Sequence, residues 1–353
     1  MKKYIGCDLH KKFSVFVVME EQGRCEKPVR ISNDKLELRA YLSNLEKGTP
    51  IAVEASGGWY WFVDELEAVG LDVHLVNPLE AKKRMRGRHK TDELDAAGLA
   101  MLMRNGTAPD VWIPSSSLRD LRGLMRTRLS LRHHTTTIKN RINAARRRYG
   151  QWEEGEPKNL FTGKGRVQLS VYIASLPEQT RIATRHEWEL LDQIEEHIAA
   201  LEEQISLKIG QIGYVRLLKS MPGVGAILGA TIYLEIGDVT RFPSAERLAS
   251  YAGLTPTVNA SGGKIRLGRT SAVSNHYLRW AFVEAANCIV MQKHRFEKRH
   301  VVELYDRLRA SKNHNKAAVA VGRHLAEASW WMLTKKQEYR EPAPASMSSS
   351  ENG

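Results

Sequence analysis

Between residues 3 and 76 the chain reads as three strands, a helix, a strand, a helix and a strand, an order few architectures accommodate. Segments 3–8 and 13–20 carry Val, Ile and Phe at strand-favouring positions, and the short polar turn 9–12 joins them as a hairpin. A third strand follows near 27–31. Asn33 or Asp34 caps a helix to about Leu45, with apolar Leu36, Leu38, Tyr41, Leu42 and Leu45. Segment 51–54 is a short buried strand. Gly57 and Gly58 break the chain before a helix over 59–69, and 71–76 is a strand stopped by Pro78. The expectation is an α/β domain on a mixed sheet.

The remainder reads as helical. The spacing predicts a helix over 92–104 and one long helix over 118–148, with Leu118, Leu121, Met125, Leu129, Ile138, Ile142 and Ala145 at three- and four-residue steps. Residues 149–184 hold Gly155, Pro157, Gly163, Gly165 and Pro177 and read as a loop or small insertion. Over 185–212, Leu191, Ile194, Ile198, Leu201, Ile205 and Ile212 form a heptad-like seam. A coiled-coil arm, a dimer contact and a plain helical-hairpin core all fit that seam. Residues 213–337 read as a mainly α-helical second domain, and 338–353 as a disordered tail rich in Pro, Ser and Ala. The first domain is expected to span 1–148.

Charge narrows the function. The net charge is +13, but residues 1–81 sum to −3 and residues 82–148 to +12. So dense a stripe suits a polyanion, because each phosphate contact releases a counterion. A solubilising surface is the alternative. The run Lys82, Lys83, Arg84, Arg86, Arg88 and Lys90 opens the stripe, and the helix over 118–148 adds ten basic groups against one acid, Asp120. Arg126, Arg132 and Arg141 on that helix are candidate backbone contacts. No segment has the roughly 18 apolar residues of a membrane span. The N-terminus lacks the apolar core of a secretory signal. Cys7, Cys25 and Cys288 form no CxxC pair, so neither a disulfide framework nor a cysteine zinc site is expected. A reduced, cytoplasmic protein with no membrane partner is the expectation.

Four carboxylates carry the chemistry. Asp8 ends the first strand and Glu54 the fourth, while Asp92 and Asp95 share a face at the start of a helix. Such acids repel, by about 4 kcal/mol per pair at 4 Å and an effective dielectric of 20, unless a cation joins them. Hard oxygen ligands suit Mg2+, with Mn2+ as a substitute, and cations so held support phosphodiester chemistry. The bland alternative is unrelated surface acids, with Asp92 as a helix cap. Glu93 is expected to face solvent. Thr91 and Lys90 fit a cap and a surface lysine as well as phosphate contacts.

Two further motifs lie downstream. Pro222-Gly223-Val224-Gly225 between apolar helices is a helix-hairpin-helix pattern, in which the N–H groups of Gly223 and Gly225 approach a DNA phosphate. A tight αα-corner is the alternative. Ser261 precedes Gly262-Gly263 in a polar loop, with Lys264, Arg266 and Arg269 following as candidate phosphate contacts. By spacing alone Ser261 is an ordinary loop serine, because a hydroxyl needs a base, a metal or adjacent cations to act as a nucleophile.

Taken together, these motifs resemble a known family. Ile5-Gly6-Cys7-Asp8, Val53-Glu54-Ala55, Lys90-Thr91-Asp92-Glu93-Leu94-Asp95-Ala96, Met221-Pro222-Gly223-Val224-Gly225, Arg241-Phe242, Tyr251-Ala252-Gly253-Leu254-Thr255-Pro256 and Ser261-Gly262 occur in order over most of the chain. The chain resembles the bacterial insertion-sequence transposases related to the Piv-type DNA invertases, some of which are bridge-RNA-guided recombinases. The resemblance implies a RuvC-like, RNase H-fold N-terminal domain whose Asp-Glu-Asp-Asp set is Asp8, Glu54, Asp92 and Asp95. It also implies a C-terminal transposase domain whose nucleophilic serine is Ser261. Double-stranded DNA at element ends and target, an element-encoded guide RNA and a dimer or tetramer are the implied partners. A RuvC-like nuclease that uses water, and a nucleic-acid-binding protein without chemistry, are the alternative functions.

Overall fold

Residues 2–85, 91–261, 264–270 and 273–342 are described by the computed structural model, by backbone alone for 258–261, 264–267 and 269. They divide into two compact units, Met1–Ser117 and Leu118–Gly353.

The first unit runs β1 (Lys3–Leu9), β2 (Phe13–Glu20), β3 (Val29–Ser32), α1 (Lys35–Leu42), β4 (Pro50–Glu54), α2 (Trp59–Ala68), β5 (Asp72–Val76), α3 (Pro78–Met85), α4 (Asp92–Arg104) and β6 (Asp110–Val111). The sheet order is β3-β2-β1-β4-β5-β6. β1, β4 and β5 are parallel; β2, β3 and β6 pair antiparallel with their neighbours. This mixed sheet is consistent with the RNase H-like domain expected. The α1 cap is Asp34, which accepts from the N–H groups of Leu36 and Glu37.

Strand alternation sorts the sheet faces. Ile5, Cys7 and Leu9 pack with Leu38 and Leu42 of α1 and with Phe62 and Leu66 of α2. On the other face, Ala52 and Val76 meet Ala81 of α3 and Leu99 of α4, and Val15 and Val17 meet Ala96. The basic run was expected only as a charged segment, yet Lys82, Lys83 and Arg84 are helical, in α3. Arg86, Arg88 and Lys90 lie outside the described residues.

The second unit contains α5 (Ser116–Arg148, whose first two residues close the first unit), α6 (Lys164–Ala174), α7 (Glu178–Ile209), α8 (Gly213–Leu218), α9 (Ala226–Ile236), α10 (Ala245–Tyr251), β7 (Pro256–Ser261), β8 (Lys264–Thr270), α11 (His276–Met291), α12 (His300–Arg309) and α13 (His314–Lys335). Its core joins α9, α10, α11 and α13 through residues such as Ile232, Leu248, Phe282 and Val321. The long basic helix was expected to close the first domain; by packing it belongs here. Met125 lies with Ile205, Ile209, Val215 and Leu234.

Three expectations change. Residues 150–184 are not a loop: α6 and the start of α7 fall within them. Leu169, Tyr172 and Ile173 of α6 pack on Ile138 and Ile142 of α5, while Val167 and Val171 stay exposed, which blurs the helical periodicity. The seam on α7 is covered by its own chain, since Leu191 joins that cluster and Ile205 joins Met125. Arg128–Glu202, Lys139–Glu195 (2.6 Å) and Arg141–Glu187 (3.7 Å) run in opposite sense along the two helices, so α5 and α7 are antiparallel. The helical-hairpin reading therefore describes these residues, and no separate coiled-coil arm is needed. The polar loop around Ser261 is a two-stranded hairpin, β7–β8.

Candidate active site

Alternation puts Gly6 and Asp8 of β1 on the α4 side of the sheet, with Ala52 and Glu54 of β4 beside them. In the parallel register Gly6 pairs with Ala52 and Cys7 with Val53. One step further, Asp8 and Glu54 stand at the C-terminal ends of adjacent parallel strands, where open α/β sheets hold their ligands. Gly6 makes the site possible. A Cβ there would lie 1.9 Å from the Ala96 carbonyl oxygen and 2.5 Å from the Ala100 nitrogen. Without one, α4 rests directly on β1, and its first turn delivers Asp92 and Asp95. The cap of α4 is Thr91, whose hydroxyl accepts from the Leu94 N–H at 3.2 Å, so Asp92 is not consumed as a cap. Glu93 is exposed. Asp8, Glu54, Asp92 and Asp95 all line one cleft of about 1390 Å3.

Sequence reasoning missed His10. Its Nε2 lies 3.0 Å from Asp8 Oδ2 and 3.3 Å from Asp92 Oδ1. Ligand atoms of Asp8, His10 and Asp92 all fall within 4.8 Å of one another, whereas Glu54 and Asp95 line the cleft outside that group. The signal was present in Asp8-x-His10, since a spacing of two puts both residues on one face of an extended chain. Burial pushes the Asp8 carboxyl above its ordinary range, Asp92 and Asp95 push the same way, and His10 offsets only part. A cleft that raises a carboxylate by burial and like charge suits a cation. Carboxylate oxygens with one imidazole nitrogen are a donor set that divalent ions accept.

Lys82, Lys83 and Arg84 line the same cleft. Lys83 is paired with Glu80 at 2.7 Å, Arg84 donates to the Thr107 carbonyl, and Lys82 is exposed. The basic helix α5 is less available than its composition implies. Arg119, Arg122, Arg128 and Arg146 are buried. Arg126 makes two hydrogen bonds to Glu235, at 2.8 and 2.9 Å. Arg132 lies 3.7 Å from Glu202, and Arg141, two-thirds exposed, lies 3.7 Å from Glu187. Much of that stripe neutralises acids inside its own unit.

Ser261 is the last residue of β7 and pairs in register with Lys264, with Asn259 opposite Arg266. Gly262-Gly263 between two strands is a hairpin signal that the sequence reading passed over. Those glycines, and the side chains of Ser261, Lys264, Arg266 and Arg269, lie outside the described residues. The hairpin base is anchored. Asn275 caps α11 through the Leu278 N–H (2.9 Å) and donates to Glu235 (2.8 Å) and to the Tyr251 hydroxyl (3.2 Å). Glu235 is 1% exposed. Burial alone would raise its carboxyl, but the hydrogen bonds from Arg126 and Asn275 and the charges of Arg126 and Arg122 hold it below the ordinary range.

The turn between α8 and α9 has a packing explanation. Gly223 has φ +73°, and a Cβ there would lie 2.3 Å from the Ala285 carbonyl oxygen on α11. Gly225 precedes α9 with open space around its Cβ position. The close approach at Gly223 is thus to α11 and requires no DNA.

Residues 5–149 match a DEDD transposase family model of the IS110 type, and residues 215–301 match the model described as the transposase IS116/IS110/IS902 family. The chain is 23% identical over 345 residues to the transposase for insertion sequence element IS1111A of Coxiella burnetii, covering 96% of this chain and 91% of that protein. It is 25% identical over 341 residues to the "Probable family 20 transposase" of Pseudomonas aeruginosa, covering 95% and 98%. It is 22% identical over 334 residues to the transposase for IS1328 of Yersinia enterocolitica, covering 94% and 96%. The DEDD match implies divalent-metal dependence, and the Asp8–His10–Asp92 group is an acidic site able to take an ion. Among the described residues no helix is long and apolar enough to cross a membrane.

Proposed function

The chain belongs to the IS110/IS116 family of transposases and is a DNA transposase or recombinase, and from that premise we propose that it exchanges DNA strands through a covalent phosphoserine intermediate on Ser261. The observation that carries this reading is the convergence of Asp8, Glu54, Asp92 and Asp95 on one cleft in a chain of that family. These four carboxylates would hold Mg2+, or Mn2+ in its place. The bound cation would supply charge neutralisation at the scissile phosphate. Lys82, with Lys83 and Arg84, draws the DNA backbone toward the cleft. On the second unit, Arg132 and Arg141 contact DNA backbone, while Arg126 acts inside that unit on Glu235.

The chemistry of this reading balances without hydrolysis. The Ser261 oxygen attacks phosphorus and loses its proton. The bond from phosphorus to the 3′ oxygen breaks, and that oxygen leaves as a hydroxyl. A 3′-hydroxyl of a second strand then attacks the phosphoserine, and the serine oxygen departs and regains a proton. Lys264, Arg266 and Arg269 neighbour Ser261 in the hairpin sequence and offset the charge on the transferred phosphate. Two duplexes must be held at once, which calls for a dimer or tetramer. Target choice is delegated to an element-encoded RNA, whose pairing reads sequence while the protein reads backbone and shape.

The test is a covalent-adduct assay with element-end DNA, a divalent cation and co-purified RNA, resolved on a denaturing gel. The expected result is a protein–DNA band, absent in both Ser261→Ala and Asp8→Ala. Metal-dependent cleavage without an adduct, unchanged in Ser261→Ala, would instead establish a nuclease that uses water.

A further inference from the structure

His10 belongs to no motif of the sequence reading, yet its position is built. Its backbone N–H donates to the Phe13 carbonyl at 3.0 Å, closing the β1–β2 turn. Its own carbonyl accepts from Asn33 Nδ2 at 2.7 Å, and Asn33 Oδ1 accepts from the hydroxyl of the fully buried Ser14 at 2.7 Å. The imidazole lies 4.6 Å from the Phe13 ring between centroids, and the Arg30 guanidinium covers that ring at 3.5 Å. Backbone and ring are therefore both located by the rim of the sheet. A side chain so held keeps one orientation at little further entropic cost. That orientation turns Nε2 toward Asp8 and Asp92 together.

A purely structural histidine here would be a poor choice. A ring needed only to close the hairpin has no reason to stand within 3.3 Å of two carboxylates in a cleft that a third acid, Asp95, also lines. The three ligand atoms, two oxygens and one nitrogen, already stand within 4.8 Å of one another. Imidazole nitrogen is a borderline donor that Mg2+ rarely takes and later divalent ions accept more readily.

We propose that His10 is a nitrogen ligand of the divalent cation, completing with Asp8 and Asp92 a mixed nitrogen–oxygen site that favours Mn2+ over Mg2+. The proposal rests on the carboxylate reading above and adds to it the donor that sets metal preference. Glu54 and Asp95 then complete the acidic lining of the cleft around that ion.

The test is pulsed electron paramagnetic resonance of Mn2+ added to the full-length protein, which detects a directly bound nitrogen without any turnover. The wild type is expected to show 14N modulation on protein-bound Mn2+. That modulation should change to the 15N pattern when histidine alone is labelled, and vanish in His10→Ala. Competition titration should show the preference for Mn2+ over Mg2+ falling by about tenfold in His10→Ala. Mn2+ bound in the wild type and lost in Asp8→Ala, with no histidine nitrogen coupling, would overturn the role of His10 and leave the carboxylate reading standing. Absence of any Asp8-dependent Mn2+ binding would overturn both. The isotope experiment is done on unaltered protein, so misfolding of a variant cannot account for its result.

Discussion

Asp8 and Glu235 are both carboxylates withdrawn from water, and their surroundings shift them in opposite directions. Asp8, in the cleft of the first unit, is raised; Glu235, in the core of the second, is lowered. Burial is the largest influence on each and acts upward on each. It prevails at Asp8 because the nearest charges include Asp92 and Asp95, with one histidine to offset them. At Glu235 it loses to Arg126, Arg122 and Asn275. Glu235 is thus supplied with cations by the core around it, whereas Asp8 stands among acids that His10 offsets only in part. Perturbed carboxylates concentrate at functional sites for this reason. The contrast separates a structural acid from a functional one better than burial does.

The largest effect expected from breaking the comparison is at Glu235. Glu235→Ala removes the acid and leaves Arg126 and Arg122 facing a hole, a loss of about 3–5 kcal/mol by analogy with other broken buried ion pairs. Amide exchange should accelerate in α9, α11 and the β7–β8 hairpin while β1 and α4 stay protected, because the two units are compact in their own right. Glu235→Gln sharpens the same point through pH. A carboxyl whose folded value lies below its unfolded one contributes stability above the unfolded value, and that contribution is lost as pH falls through the folded value. Denaturation of the second unit between pH 7 and pH 3 should therefore be steeper in the wild type than in Glu235→Gln. Equal slopes would show that the Arg126 and Asn275 contacts do not set its ionisation.

Next in size is the response to metal. Adding Mn2+ at about 100 times its dissociation constant should stabilise the first unit by about 2.7 kcal/mol, since the folded cleft binds and the unfolded chain does not. The second unit should not respond. Chelation should reverse the shift. Amide protection in β1 and α4, read against α9, measures both units in one sample.

What the sequence revealed follows the same division. The first unit is legible because its strands are short runs rich in Val, Ile and Phe and its acids sit at strand ends and a helix start, so the residue pattern alone singles out Asp8, Glu54, Asp92 and Asp95. His10 was missed although it lies two residues from Asp8, because attention to acids ignored the face they share. In the second unit, the arginines of α5 read as a binding stripe, yet Arg122 and Arg128 turn inward to carbonyls and acids far along the chain, such as Leu234 and Glu202, and Arg146 is buried against Glu156. Composition cannot distinguish an arginine that meets phosphate from one that meets a glutamate 74 residues away. Helix α6 was hidden by Gly163 and Gly165 at its start. Gly165 is there because a Cβ would lie 2.1 Å from the Asn159 carbonyl oxygen, a contact that no local pattern announces.

The packing that brings the acids together gives a smaller effect, argued from Gly6. In Gly6→Ala the new methyl meets the α4 backbone at Ala96 and Ala100, which cannot rotate away as a side chain could. Overpacking of this kind costs about 1–3 kcal/mol. The folded population should survive, with α4 displaced from β1. Asp92 would then move from Asp8 and His10, and Mn2+ affinity should fall further than stability does. Asp8→Asn separates the two quantities from the opposite side. It removes the charge that burial, Asp92 and Asp95 disfavour, so metal-free stability should hold or rise slightly while the gain from Mn2+ disappears. Paired titrations of the two variants, with urea and with Mn2+, distinguish a site built by close helix packing from one that forms wherever acids are near. If Gly6→Ala bound Mn2+ as tightly as the wild type, the contact of α4 on β1 would not be what positions Asp92.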